Sequence, residues 1–152
     1  MHRQTILIVI ALALACVAVA GYKLSARWHS TNTAQLPRSS CDPSIQDCTI
    51  PLPQGGQLTL SITPRPILAL QKLSLEVRMT GMKAEKVEID FDGVDMSMGY
   101  NRPILSGDGG NFSGQTVLPV CITGTMTWKA TVLVTAKEGG IAAPFHFKVA
   151  GR

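Results

Sequence analysis

The sequence predicts an all-β domain, an antiparallel sandwich of about seven or eight short strands, preceded by one N-terminal apolar helix. Three observations carry this expectation. Apolar and polar residues alternate with period two through most of the chain after Gln57. Glycine, proline and aspartate gather between the alternating runs at regular intervals. Ahead of them, Thr5 to Tyr22 is a run of 18 residues without a charge, which is the lower edge of what crosses a bilayer as a helix.

Residues 1–24 therefore read as a transmembrane anchor or a signal peptide. Ala18-Val19-Ala20 suits a signal peptidase cutting before Gly21. Ala13-Leu14-Ala15-Cys16 has the outline of a lipoprotein box, with Ala13 where a bulky aliphatic residue is expected. A retained helix, a cleaved signal and a lipidated Cys16 all place residues 30–152 outside the cytoplasm. The expected location is the cell inner membrane, crossed once with the N-terminus inside and the C-terminal domain in the periplasm, or the periplasm itself if the signal is cut. Lys23 and Arg27 follow the apolar run as Arg3 precedes it, so flanking charge alone does not orient it.

Residues 25–40 are polar and poor in large apolar side chains, as a linker would be. His29 lies here without neighbouring ligands. Residues 41–152 form the expected extracytoplasmic β-sandwich domain. It opens with Cys41 and Cys48, which six residues separate, with Pro43 favouring a turn. In an oxidising compartment this pair reads as a disulfide, worth about 2–3 kcal/mol for so short a loop. A reduced metal-binding pair is the alternative, although zinc and redox motifs use tighter spacings.

The strands follow. Leu58, Leu60 and Ile62 alternate with Thr59, Ser61 and Thr63; Leu73 to Met79 and Val87 to Phe91 repeat the pattern. At Asp92-Gly93 the apolar phase slips by one, and Val94, Met96 and Met98 form the new series, as expected of a bulge or tight hairpin. Ser106 to Gly110 reads as a turn, Phe112 to Leu118 as a strand, Trp128 to Ala136 as another, and Phe145 to Val149 as the last.

Chemistry concentrates between Val94 and Trp128. If Met96 and Met98 lie on a strand, both point to one face about 6.5–7 Å apart. Thioether sulfur is soft, neutral and cannot be protonated, which suits Cu(I) and suits zinc or calcium poorly. Met126 and Cys121 are possible further ligands, and His146 is one by type. Equally, methionines of this parity pack irregular core space. Cys121 sits in apolar Leu118-Pro119-Val120-Cys121-Ile122 and is open to three readings: a buried thiol, a soft ligand, or a disulfide partner of Cys41 or Cys48. Arg102 can hold a carboxylate or a heme propionate, stack on Tyr100, or pair with Asp95 or Asp108.

The net charge of +4 is scattered rather than gathered in a stripe, and aromatics make up only 5% of the chain. Nucleic-acid binding does not fit this pattern. No serine sits in a G-x-S-x-G setting and Cys121 has no nearby histidine in sequence, so the expectation is a protein that is not an enzyme and has no small-molecule substrate.

The run Met96-Ser97-Met98-Gly99, the turn Gly107-Asp108-Gly109, Phe112-Ser113-Gly114 and Gly124-Thr125-Met126-Thr127-Trp128 resemble the YtkA-like and FixH-like extracytoplasmic domains over residues 57–136. The resemblance implies an Ig-like sandwich behind one membrane helix, and a link with copper supply or cytochrome oxidase assembly. The Cys41–Cys48 segment and Leu118-Pro119-Val120-Cys121 depart from that pattern. The resulting expectation is an accessory protein that binds Cu(I) through Met96 and Met98, helped by Met126 or Cys121, with a copper chaperone or an oxidase subunit as partner. The alternative is a metal-free interaction module of a membrane complex, docking through Tyr100 and Arg102.

Overall fold

A computed structural model describes residues 4, 6, 12–19, 21, 33–119, 125–137 and 139–149. They divide into two units, Met1–Asn32 and Thr33–Arg152. In the first, Gln4, Ile6, residues 12–19 and Gly21 are helical. Among the described residues no helix is long and apolar enough to cross a membrane. Much of the apolar run, together with Lys23, Arg27 and His29, lies outside the described residues.

The second unit is built of strands because its sequence alternates. β4 (Lys72–Met79), β5 (Lys86–Gly93) and β8 (Met126–Ala136) each bury every second side chain. β3 (Gln57–Thr63) buries Leu58, Leu60 and Ile62, and β9 (Gly139–Val149) buries Phe145, Phe147 and Val149. With β1 (Thr33–Gln35), β2 (Cys48–Pro51), β6 (Ile104–Asp108) and β7 (Asn111–Val117), the described residues form nine strands. They make one sheet in the order β1-β9-β8-β5-β6-β7-β4-β3-β2. All neighbours pair antiparallel except β1 and β9, which run parallel, so the sheet is mixed. β1 also carries the β unit into the stretch read as linker.

The sheet curls at β6. Its first two residues, Ile104 and Leu105, pair with β5, while Ser106, Gly107 and Asp108 pair with β7. Side chains from β3 and β4 and from β5, β8 and β9 join one hydrophobic cluster around Trp128, Phe91, Phe145 and Phe147. Among the described residues no polar or charged residue is fully buried in it. The stretch read as the turn Ser106 to Gly110 is therefore half strand, and the turn itself is Gly109-Gly110. Both glycines have positive φ, 55° and 93°, which makes the tight β6–β7 hairpin possible.

Asn101 seals the seam beside β6. Its carbonyl oxygen accepts the Phe91 N–H at 2.9 Å. Its side-chain amide donates to the Val117 carbonyl at 3.1 Å and accepts from the Thr116 hydroxyl at 2.9 Å. One residue, through its backbone carbonyl on one side and its side-chain amide on the other, thus supplies between β5 and the end of β7 the hydrogen bonds that β6 gives further along.

Candidate metal centre

The strand expected over Val94, Met96 and Met98 is absent. β5 ends at Gly93, and residues 94–100 form bends and irregular chain. The cause is local. Asp92 turns its carboxylate back so that Oδ1 accepts the N–H of Gly93 at 2.9 Å and the N–H of Met98 at 3.2 Å. The Val94 N–H goes to the Thr127 carbonyl on β8 at 3.0 Å. A carboxylate offering stronger, charge-assisted hydrogen bonds captures the backbone that a strand would have needed. Val94 and Met96 are each 46% exposed, so they do not form the inner apolar series. Met98 is half-buried and packs against the core.

The closed loop does what strand parity was expected to do, by another route and with another pair. Met126 opens β8 on the inner face and is buried. A Cβ added at Gly93 would collide with the Met126 Cε methyl and the Met96 carbonyl oxygen, and would lie 3.3 Å from Met98 Cγ. The atoms flanking this point, Met126 Cε and Met98 Cγ, are each one bond from sulfur. Gly93 is therefore the floor of a thioether cluster, and its missing side chain is the space the cluster occupies. Met98 and Met126 meet there, Met96 contributes its backbone, and the Met96 side chain stands at the solvent edge. Cys121 lies outside the described residues.

His146 is not part of this group. It pairs with Lys129 in the β8–β9 register, one residue out of phase with Phe145 and Phe147, and so faces the other side of the sheet from Met126. Burial, and the positive charges of Arg38 and Lys129, hold its pKa below the ordinary value. Among the described residues no three His, Cys, Asp or Glu side chains gather as a metal-binding cluster. Thioethers are a different donor set, and two of them, from Met98 and Met126, meet over Gly93.

Cys41 and Cys48 are bonded to each other, which excludes both the reduced metal pair and a bridge from either to Cys121. The loop they close is fastened to the sheet. Asp47 meets Arg65 at 2.7 Å and Arg78 at 3.4 Å, and Arg65 Nε donates to the Pro43 carbonyl at 3.1 Å. Hydrogen bonds from Arg65 and Ser61, in that order of weight, hold the Asp47 carboxyl below its usual pKa.

Tyr100 and Arg102 form a second feature. The Arg102 guanidinium donates two hydrogen bonds to Asp90, at 3.2 and 3.1 Å, and lies 5.7 Å from the centre of the Tyr100 ring. The stack on Tyr100 was among the expected arrangements; the ion-pair partner is neither Asp95 nor Asp108. The reason is register. Phe91 and Ile89 donate to the carbonyls of Asn101 and Pro103, so residues 101–103 run along β5 and Arg102 falls opposite Asp90. The Asp90 bond makes the guanidinium still harder to deprotonate. Tyr100 is 84% exposed.

A concavity of about 540 Å³ lies elsewhere. It is lined by Ser61, Thr63, Ser74, Glu76, Ser113 and Gln115 on the outer side of β3, β4 and β7, a polar trough without a sulfur atom.

The residues missed here are Asp92 and Gly93. The signal for both was present as the Asp-Gly phase slip, which marked a special backbone without saying what it held.

No protein-family model matches the chain, and no curated protein matches it. Among solved structures it is similar to a crystal structure of an engineered protein, at 16% identity and a TM-score of 0.48, over 65% of this chain. The match spans 21% of that protein's length.

Proposed function

We propose that the β unit is a non-enzymatic extracytoplasmic accessory domain that binds Cu(I) through the thioethers of Met98 and Met126, with Met96 at the solvent edge as the exchange ligand. In this reading the curled sheet is an Ig-like sandwich: β1, β9, β8 and β5 form one wall, β2, β3, β4 and β7 the other, and β6 crosses between them. The observation that carries the reading is the convergence of two methionine side chains from different elements on the space left open by Gly93. The chain is tethered to the inner membrane by its apolar N-terminal segment, or released into the periplasm if that segment is cleaved. The Cys41–Cys48 bridge suits that oxidising side. The partner is a copper chaperone or an oxidase subunit that takes or gives the ion at Met96.

Competition between the full chain and a chromogenic Cu(I) chelator under reducing conditions tests this. One ion binds per chain, and Met98→Leu/Met126→Leu weakens it by an order of magnitude or more. Equal affinity of the double variant removes the site.

A second reading is favoured by one observation, the exposed Tyr100 ring held by Arg102 and Asp90. Here the domain docks a membrane-complex subunit without metal. Association that survives Met98→Leu/Met126→Leu and fails on Arg102→Ala distinguishes it.

A further inference from the structure

We infer that the indole of Trp128 forms a wall of the thioether site, a π face against which a soft monovalent cation held by Met98 and Met126 rests. This rests on the copper reading and adds the one property thioethers lack. Two neutral sulfurs bind a cation without supplying negative charge, so an ion drawn into a partly buried cluster gives up hydration with little electrostatic return. An aromatic face supplies that return, and tryptophan does so best.

The placement follows from register. Trp128 is the cross-strand partner of Gly93, and Met126 precedes it by two residues on β8. Gly93, Met126 and Trp128 therefore present to the same inner face. Directly opposed residues hold their Cβ positions about 4.5–5.5 Å apart. At position 93 the Cβ position is taken by the Met126 methyl, with Met98 Cγ 3.3 Å from it. The space over Gly93 that gathers the thioethers thus adjoins the root of the Trp128 side chain on the same face, and an indole swung over it would meet a cation at the roughly 6 Å at which a ring is felt. Trp128 is 1% exposed, so water does not screen the interaction. Asp92, by holding Met98 against Gly93, is the positioning residue of the same arrangement.

The chain has two tryptophans, Trp28 and Trp128, so a full chain carrying Trp28→Phe isolates the emission of Trp128. Ag(I), soft, monovalent and redox-inert, is the probe. The expected result is quenching and a red shift of Trp128 emission that saturates at one equivalent and vanishes in Met98→Leu/Met126→Leu. Trp128→Leu weakens Ag(I) binding by about 5- to 30-fold, and Trp128→Phe by less. Should Trp128→Leu not fold, the emission titration and Trp128→Phe decide. Methionine-dependent Ag(I) binding with unmoved Trp128 emission, and equal affinity in Trp128→Phe, overturns the role of the indole and leaves the thioether site standing. No Ag(I) binding to the full chain overturns the copper reading, and this inference with it.

Discussion

Two short loops in this domain carry sulfur-bearing side chains, and they close in opposite ways. Between Cys41 and Cys48 the sulfurs are bonded to each other, and the charges around them are paired through Asp47, Arg65 and Arg78. Between Asp92 and Met98 closure is left to one carboxylate and two backbone N–H groups, and the sulfur-bearing side chains gather over a glycine instead of bonding. The first loop commits its sulfur to stability. The second keeps thioethers together without a covalent bond, as the proposed exchangeable soft-cation site requires. Nearly identical loop lengths thus serve different ends because cysteine can be oxidised to a crosslink and methionine cannot.

Cys41→Ser/Cys48→Ser is expected to lower unfolding stability by about 2–3 kcal/mol, with Cu(I) affinity unchanged; chemical denaturation and metal competition measure the two effects separately. Gly93→Val is expected to do both kinds of damage. Its side chain must displace the Met126 methyl and the Met96 carbonyl, costing about 1–3 kcal/mol for overpacking and abolishing one-to-one Cu(I) binding. Asp92→Ala removes the acceptor of two N–H groups, with a loss of about 1–2 kcal/mol and a severalfold drop in Cu(I) affinity. Asp92→Asn, which keeps an oxygen at Oδ1, restores most of both.

The smallest effects are in pH. Asp47 has its pKa held below 3.8, chiefly by the Arg65 hydrogen bond. Below 3.8 the unfolded chain binds the proton that the folded chain refuses, so the stability this carboxylate contributes is present above that pH and is lost as pH falls through the folded value. Arg65→Gln flattens this acid limb. His146, with a folded pKa below 6.5, is refused its proton by burial and by Arg38 and Lys129. Its effect has the same sign in a higher window: stability is full above 6.5 and declines as pH drops below it. His146→Gln removes that slope in thermal melts recorded across the window and leaves Cu(I) affinity alone, since the ring faces away from Met126.

Strands whose side chains divide cleanly between core and water were legible. Leu58 to Ile62, Leu73 to Met79, Val87 to Phe91 and Trp128 to Ala136 alternate because one face is dry, and the cysteine pair was legible from its spacing. β1 was not, because Thr33, Ala34 and Gln35 are all exposed and the strand exists only through its parallel pairing with β9. β6 was hidden because Ser106, Gly107 and Asp108 look like a turn until β7 supplies a partner. The methionine stretch misled in the other direction. Val94, Met96 and Met98 have strand periodicity, but the Asp92 carboxylate takes the N–H groups of Gly93 and Met98 and turns the chain between them out of the sheet. That Met126, rather than Met96, would stand beside Met98 depends on the β5–β8 register, which no local pattern encodes.

In the proposed site Met98 and Met126 share one ion over Gly93. Of the chain's six methionines, Met79 and Met82 stand apart from that floor. Titrating Ag(I) into the full chain labelled with carbon-13 at the methionine methyls tests the claim most directly. The Met98 and Met126 resonances are predicted to shift together and saturate at one equivalent, Met96 to move with them by less, and Met79 and Met82 to stay in place. Methyl signals of Met98 and Met126 that hold still while the metal binds, or that respond at different stoichiometries, would contradict the account.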